Sequence, residues 1–258
     1  MAPTRDQSTQ RIILQCRGLT REFAGFVAVA GVDLDIAEGT IHALIGPNGA
    51  GKTTCFNLLT RFLATSSGSI KYKGRDITSA KPSDVARSGM VRSFQISAVF
   101  GQMTVLENVR IALQRKRGDN FDFWRSANVL RQYDDQARHL IETVGLTAFV
   151  SDRASILPYG RRRALELATT LALDPEMLLL DEPMAGMGHE DIAMTAELIR
   201  QVAANRTILM VEHNLPVVAT LSDRITVLAR GKVIAEGNYE SISQDPAVMQ
   251  AYIGTGHG

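Results

Sequence analysis

Between residues 11 and 45 the short apolar runs IILQC, FVAVAGVDLDI and IHALIG are broken by glycines and acidic turns, a pattern that predicts several strands rather than helices. From Gly46 the character changes. A glycine-rich loop leads into KTTCFNLLTRFL, which reads as a helix ending near the turn from Thr65 to Gly68. Over 101–157, apolar residues recur at spacings of three and four in TVLENVRIALQRK and NVLRQYDDQARHLIETVGL, predicting an inserted helical lobe. After it the pattern predicts a helix from about Gly160 to Leu173, the strand-like run MLLLDEP, a helix through DIAMTAELIRQVAA and the apolar strand TILMVEH. Two apolar strands separated by a helix imply βαβ units, hence an α/β chain with a largely parallel buried sheet.

Composition narrows the function. With 258 residues and 45% hydrophobic content the chain can bury one large core or two small ones. Its 28 Lys and Arg nearly balance 27 Asp and Glu, which argues against a general nucleic-acid binder or attraction to membranes by bulk charge. The opening MAPTRDQSTQR has no apolar centre and is not a secretory signal, so a cytoplasmic protein is expected. No stretch approaches the roughly 18 to 20 apolar residues of a membrane helix; if transport is the task, the pore belongs to another polypeptide. Cys16 and Cys55 lack metal or redox spacing and read as buried thiols.

Residues Gly46 to Thr53, GPNGAGKT, satisfy the pattern G-x-x-x-x-G-K-[ST] in the required strand-to-helix setting. Glycines let backbone N–H groups turn toward phosphate oxygens, and the following helix points its positive end at the same place. The candidate binding residues are Asn48, Gly49, Ala50, Gly51, Lys52, Thr53 and Thr54. Lys52 supplies charge to the terminal phosphates and Thr53 a hydroxyl for Mg²⁺.

A second signal closes the run Met177-Leu178-Leu179-Leu180-Asp181-Glu182. Neighbouring side chains on a strand point to opposite faces, so two acids at its tip can divide two tasks. Asp181 is the candidate for the Mg²⁺ shell and Glu182 for the base that polarises water. His213, at the end of TILMVEH, either hydrogen-bonds the terminal phosphate or serves structure alone.

Taken together, GPNGAGKTT, MLLLDEP, VEHN and RSFQ occur in the order that resembles the ABC ATPase family over almost the whole chain. MTVLENV, the YG of LPYGR and the tail PAVMQAYIG are similar to the subgroup serving branched-chain and hydrophobic amino acid importers. That resemblance implies a P-loop NTPase (RecA-like) core with a mostly parallel sheet, an N-terminal antiparallel β-subdomain and an inserted α-helical subdomain. It implies a single domain over 10–258: 10–95 and 161–240 as nucleotide core, 96–160 as helical insertion, 241–258 as tail and 1–9 as flexible leader. ATP and Mg²⁺ are the implied cofactors. Gln95 would join Glu182 and His213 in catalysis and touch Mg²⁺, Phe23 would stack on adenine, and Tyr159 with Gly160 would cover the ATP of a second protomer, identical or different. Other implied partners are transmembrane permease subunits at the inner face of the plasma membrane and, indirectly, an external solute-binding protein, with no nucleic acid. The alternatives are Phe23 or Phe26 as ordinary core, a soluble P-loop phosphotransferase, a non-transport ABC ATPase, and a non-hydrolysing ATP-dependent binding module, against which Glu182 speaks.

Departures from the family pattern are specific. Pro158 stands where a serine would touch phosphate, and Gly188 where Asn or Asp is usual. Arg161, Arg162 and Arg163 follow in the first helical turn, read either as a solvated basic face or as charge that attracts phosphate. Ile96, Ala98, Val99, Phe100 and Met103 offer an apolar surface for a permease helix, or else core of the lobe.

Overall fold

The structure is a computed structural model, and it describes residues 11–93, 99–117 and 132–253. In chain order these form β1 (Ile12–Phe23), β2 (Phe26–Ala37), β3 (Ile41–Ile45), α1 (Lys52–Leu59), β4 (Ser67–Tyr72), β5 (Arg75–Asp76), α2 (Pro82–Arg87) and β6 (Met90–Arg92). There follow α3 (Val105–Arg117), α4 (Asp134–Thr143), α5 (Tyr159–Leu171), β7 (Met177–Asp181), α6 (His189–Ala203) and β8 (Thr207–Val211). The last elements are α7 (Leu215–Leu221), β9 (Arg224–Ala229), β10 (Lys232–Gly237), α8 (Tyr239–Ser243) and α9 (Pro246–Ile253). The chain divides into two compact units, Met1–Ser88 with Ala203–Gly258, and Gly89–Val202.

In the first unit, β1 and β2 form a long antiparallel hairpin whose two-residue tip, Ala24 and Gly25, takes φ of 45° and 90°. That mirror-image turn matches the twist of the strands, whereas an ordinary turn would splay them. Alternate residues Leu14, Cys16, Val32, Leu34 and Ile36 are buried, and β4 and β5 extend the antiparallel sheet in the order β2-β1-β4-β5. The unit's second sheet runs β10-β9-β3-β8, with β3 parallel to both β8 and β9 and only β10 antiparallel. All five residues of β3 and of β8 are buried, as expected of parallel strands covered on both faces. Cys16 and Cys55 are both buried free thiols, and burial pushes Cys55 up to about 12.

Helix α1 stops at Leu59, earlier than the apolar pattern predicts. Arg61 takes a left-handed φ of 62° and its N–H returns to Leu58 O at 3.0 Å, so the Thr-Arg-Phe-Leu segment turns back instead of continuing.

His42, fully buried in β3, shares a 2.8 Å hydrogen bond between Nε2 and Thr226 Oγ1. Burial, helped by the Arg224 charge, pushes its pKa down to about 3. The unfolded chain takes up this proton near pH 6.5 and the folded chain resists it, so the stabilisation is complete above that pH and drains away toward pH 3. Between pH 7 and pH 5 this single group should remove roughly 2 kcal/mol of stability. Urea midpoints at the two pH values test it: His42→Asn should show the flatter profile, and equal slopes would refute the assignment.

In the second unit β6 pairs in parallel with β7, and every residue of β7 is buried. Helices α3, α4 and α5 pack against one another. Thr104 and Glu107 close a reciprocal capping box at the start of α3: Glu107 Oε2 accepts from Thr104 N at 2.7 Å and Thr104 Oγ1 from Glu107 N at 3.2 Å. Helix α5 begins one residue before the expected Gly160, and α4 is helical from Asp134, its predicted N-terminal residues falling partly outside the described set. Among the described residues no helix is long and apolar enough to cross a membrane.

Candidate functional site

The phosphate-loop candidate leaves β3 at Gly46 and enters α1 at Lys52. Gly46, Gly49 and Gly51 all hold positive φ, at 150°, 76° and 98°. At Gly51 an added Cβ would lie 2.5 Å from Ala28 O, so the loop is pressed onto β2 as well as turned. Gly231, in the β9–β10 turn, braces it by donating to Ala50 O at 2.9 Å and accepting from Ala30 N at 2.8 Å. Burial raises the pKa of the Tyr252 hydroxyl of α9, and the neighbouring Gly46 backbone offsets part of that rise.

Lys52 folds over the loop, donating from Nζ to Gly46 O at 2.7 Å and Pro47 O at 3.0 Å. Helix α1 has no side-chain cap at Gly51 and no acid in its first turn, so its positive end is left for an external anion. Asn48, Gly49 and Thr53 are exposed at this end, Thr54 is half-buried and Ala50 is buried.

Also in this unit, Phe23 and Phe26 flank the hairpin tip and are 42% and 68% exposed, so neither is core. The Arg21 guanidinium lies 4.6 Å from the Phe23 centroid. His213 is exposed two residues past β8, and its backbone is held from behind: Glu212, fully buried, accepts from His213 N at 3.0 Å and Asn214 N at 3.2 Å. Sequence reading passed over Glu212, although an acid between an apolar strand and a histidine was the available signal.

The second unit carries the acids. Asp181 ends β7 almost wholly buried, with Oδ2 accepting from Arg92 Nη2 at 2.5 Å and Oδ1 without a hydrogen-bond partner among the described residues. Glu182 follows with φ of 46°, a left-handed conformation that a non-glycine residue adopts at a cost of about 1 kcal/mol. A cavity of about 40 Å³ opens beside them, lined in part by Ser93, Arg163, Glu166, Asp181 and Thr195. Glu166 is buried in α5 with Oε2 paired to Arg163 at 2.8 Å and Oε1 without a hydrogen-bond partner among the described residues.

At the head of α5 the N-cap is Pro158, which has no side-chain acceptor to offer. Asp191 of α6 brings its carboxylate there instead: a Cβ on Gly160 would lie 2.6 Å from it, so a side chain there would displace the carboxylate. Negative charge beside a first helical turn is favourable. Tyr159 donates from its hydroxyl to Ala185 O at 2.9 Å, tying α5 to the turn after β7. At Gly188 an added side chain would meet nothing within 4 Å, so packing does not impose that glycine.

The three arginines are half-buried, and each has a contact of its own. Arg161 donates to Gly145 O at 3.2 Å and lies over the Phe149 ring, Arg162 donates to Ser155 O at 3.2 Å, and Arg163 pairs with Glu166. Local sequence showed only a run of cations; tertiary contacts gave each one its own acceptor.

Gln95, Ile96 and Ala98 lie outside the described residues. Of the remaining docking candidates Phe100 and Met103 are exposed and Val99 is half-buried. Their loop is fixed by buried Asn108, which accepts from Phe100 N at 2.7 Å and donates to Phe100 O at 3.1 Å and Thr104 O at 2.9 Å.

Among the described residues no three metal-ligating side chains cluster. A buried carboxylate with one free oxygen nevertheless fits Mg²⁺, which binds through one or two protein oxygens with substrate phosphates and water completing its shell.

Comparison with known proteins agrees with this chemistry. Residues 29–185 match the family described as ABC transporter, and residues 232–258 match the branched-chain amino acid ATP-binding cassette transporter family. The chain is 39% identical over 254 residues to the high-affinity branched-chain amino acid transport ATP-binding protein BraF of Pseudomonas aeruginosa, covering 95% of this chain and 98% of that protein. It is 38% identical over 249 residues to the corresponding protein LivG of Escherichia coli K12, covering 94% and 98%. Among solved structures, the ADP conformation of an ATP-binding cassette of an ABC transporter superposes with a TM-score of 0.83 at 27% identity, covering 95% of this chain and 99% of that one. A nucleotide-free cassette gives 0.78 at 26% identity, covering 94% and 99%. Matched along nearly its whole length, the chain belongs to the ABC transporter family of ATPases.

Proposed function

We propose that the chain binds and hydrolyses ATP for an importer of branched-chain or other hydrophobic amino acids, paired with a second ATPase protomer beneath separate permease subunits at the inner face of the plasma membrane. The observation that carries the nucleotide reading is the loop Gly46–Thr53, with its left-handed glycines, its uncapped helix and Lys52 folded across it. The solute class is supported by relatives named for branched-chain amino acid transport and by the match of residues 232–258.

In this reading the loop N–H groups and Lys52 hold the phosphates. Asn48, Ala50 and Thr54 stand beside them, and Phe23 stacks on adenine, for which an exposed ring at a hairpin tip is suited. Thr53, Asp181 and Gln95 hold Mg²⁺, which when bound neutralises charge on the phosphates. Glu182 takes the proton of the attacking water, while His213, steadied by Glu212, donates to the terminal phosphate. Tyr159 and Gly160 of the second protomer cover the same nucleotide through the start of α5. Residues 96–160 act as the helical insertion that meets the permease, an external solute-binding protein delivers the solute, and residues 241–258 form the tail.

The test has two stages. Purified protein should release phosphate from Mg-ATP, and Lys52→Ala should lose at least tenfold in ATP affinity, since a charge-assisted contact to phosphate is worth about 1.5–3 kcal/mol. Vesicles carrying the chain with its permease subunits and binding protein should then take up leucine in competition with valine and isoleucine. Absence of phosphate release sinks the ATPase reading. Uptake indifferent to branched-chain amino acids sinks the solute class alone.

A further inference from the structure

Asp181 is the buried acid to which the mechanism gives the metal, and its partner Arg92 plays no part in that mechanism. The side chains are 11% exposed for Arg92 and 1% for Asp181, and their contact is 2.5 Å. The parallel register sets Arg92 opposite Leu179 on β7, so its guanidinium reaches the tip of the neighbouring strand. A carboxylate this far from water needs a compensating charge, because burying it bare is far more costly than any single hydrogen bond returns. Oδ2 has that compensation in Arg92, while Oδ1 has no hydrogen-bond partner among the described residues. A divalent cation drawn to Oδ1 would bring a second positive charge within a few ångströms of the first, in surroundings where repulsion is poorly screened.

We propose that Arg92 is the counter-ion of Asp181 in the metal-free protein, and that guanidinium and divalent metal are alternative partners of this one carboxylate. The proposal rests on Asp181 being a metal carboxylate. It makes Arg92 a positioning residue: it keeps Asp181 aimed until the metal arrives, and metal entry loosens the ion pair that ties β6 to β7. An arginine serving packing alone would not oppose the metal.

The test uses full-length protein, Mn²⁺ as the probe and a non-hydrolysable ATP analogue, with bound Mn²⁺ read by electron paramagnetic resonance and stability by thermal unfolding. Arg92→Gln should bind Mn²⁺ at least threefold more tightly than wild type. Without metal it should melt lower, and its gain in Tm on adding Mn²⁺ and analogue should exceed that of wild type, because the metal then replaces the missing charge. Arg92→Lys, which keeps the charge but loses the planar fork, should bind Mn²⁺ with an affinity between the two, and that intermediate gain carries the reading if the glutamine variant does not fold. Mn²⁺ affinity that is unchanged or weaker, with equal gains in Tm, overturns the competition. Asp181→Asn separates the two claims: wild-type Mn²⁺ affinity there sinks the metal role of Asp181 itself. Lost affinity there, with no gain in Arg92→Gln, sinks only the role of Arg92.

Discussion

Phosphate release by a Glu182→Gln protein is expected to fall about 10²–10⁴-fold while Mg-ATP stays bound, the range by which a positioned base accelerates proton transfer. The substitution removes the proton acceptor and little else. Glutamine keeps the length and shape of glutamate, and it is no worse at the left-handed φ of 46° that this position demands. The turn just after it, in which Ala185 N donates to Glu182 O at 3.0 Å, uses only backbone atoms. Melting temperature should therefore match wild type within the error of the measurement. A turnover assay, nucleotide retention on a filter and a thermal scan give the three readings together. Turnover within threefold of wild type at an unchanged Tm would remove Glu182 from the role of base.

Gly46→Ala should be among the most damaging single-methyl changes in the molecule. A Cβ at that position would lie 2.1 Å from Leu228 O and 3.1 Å from its carbonyl carbon, atoms of β9 that cannot rotate away. Its φ of 150° adds backbone strain to the overlap. Displacing a central strand of a covered parallel sheet is an overpacking change, and here it should cost about 3 kcal/mol or more. Gly49→Ala is the control. Its φ of 76° is equally left-handed, yet a Cβ there meets nothing within 4 Å, so only the conformational penalty of about 1 kcal/mol remains. Urea midpoints for the two variants should differ in that order, and a Gly46→Ala protein as stable as Gly49→Ala would show that β9 yields to the methyl group.

These two glycines also show how far one sequence can be read. Both belong to a pattern that names its own conformation, since a loop turning N–H groups inward between strand and helix needs glycine at its bends. The pattern does not rank them, because the carbonyl that makes Gly46 irreplaceable comes from Leu228 on a strand formed much later in the chain. The same division runs through the acids. MLLLDEP announced a buried strand ending in two carboxylates, but nothing near Asp181 in sequence pointed to Arg92, 89 residues away. Arg161, Arg162 and Arg163 read either as a solvated basic face or as charge for phosphate, and their separate acceptors at Gly145, Ser155 and Glu166 were not legible in the run itself. Phe23 could be core or surface until the hairpin turn at Ala24 and Gly25 carried it to an exposed tip.

The sequence by itself determined whatever depends on local covalent chemistry and short periodicity: the strands, the main helices, the phosphate loop and the order of its companion motifs. Only the tertiary structure decided which buried charge meets which partner, which glycine lies against foreign backbone, and which aromatic ring stays in water. The physical reason is that backbone preference and amphipathic spacing act over a few residues. Charge compensation and steric exclusion act between atoms whose proximity is set by strand pairing and helix packing, and no window of sequence contains both sides of such a contact.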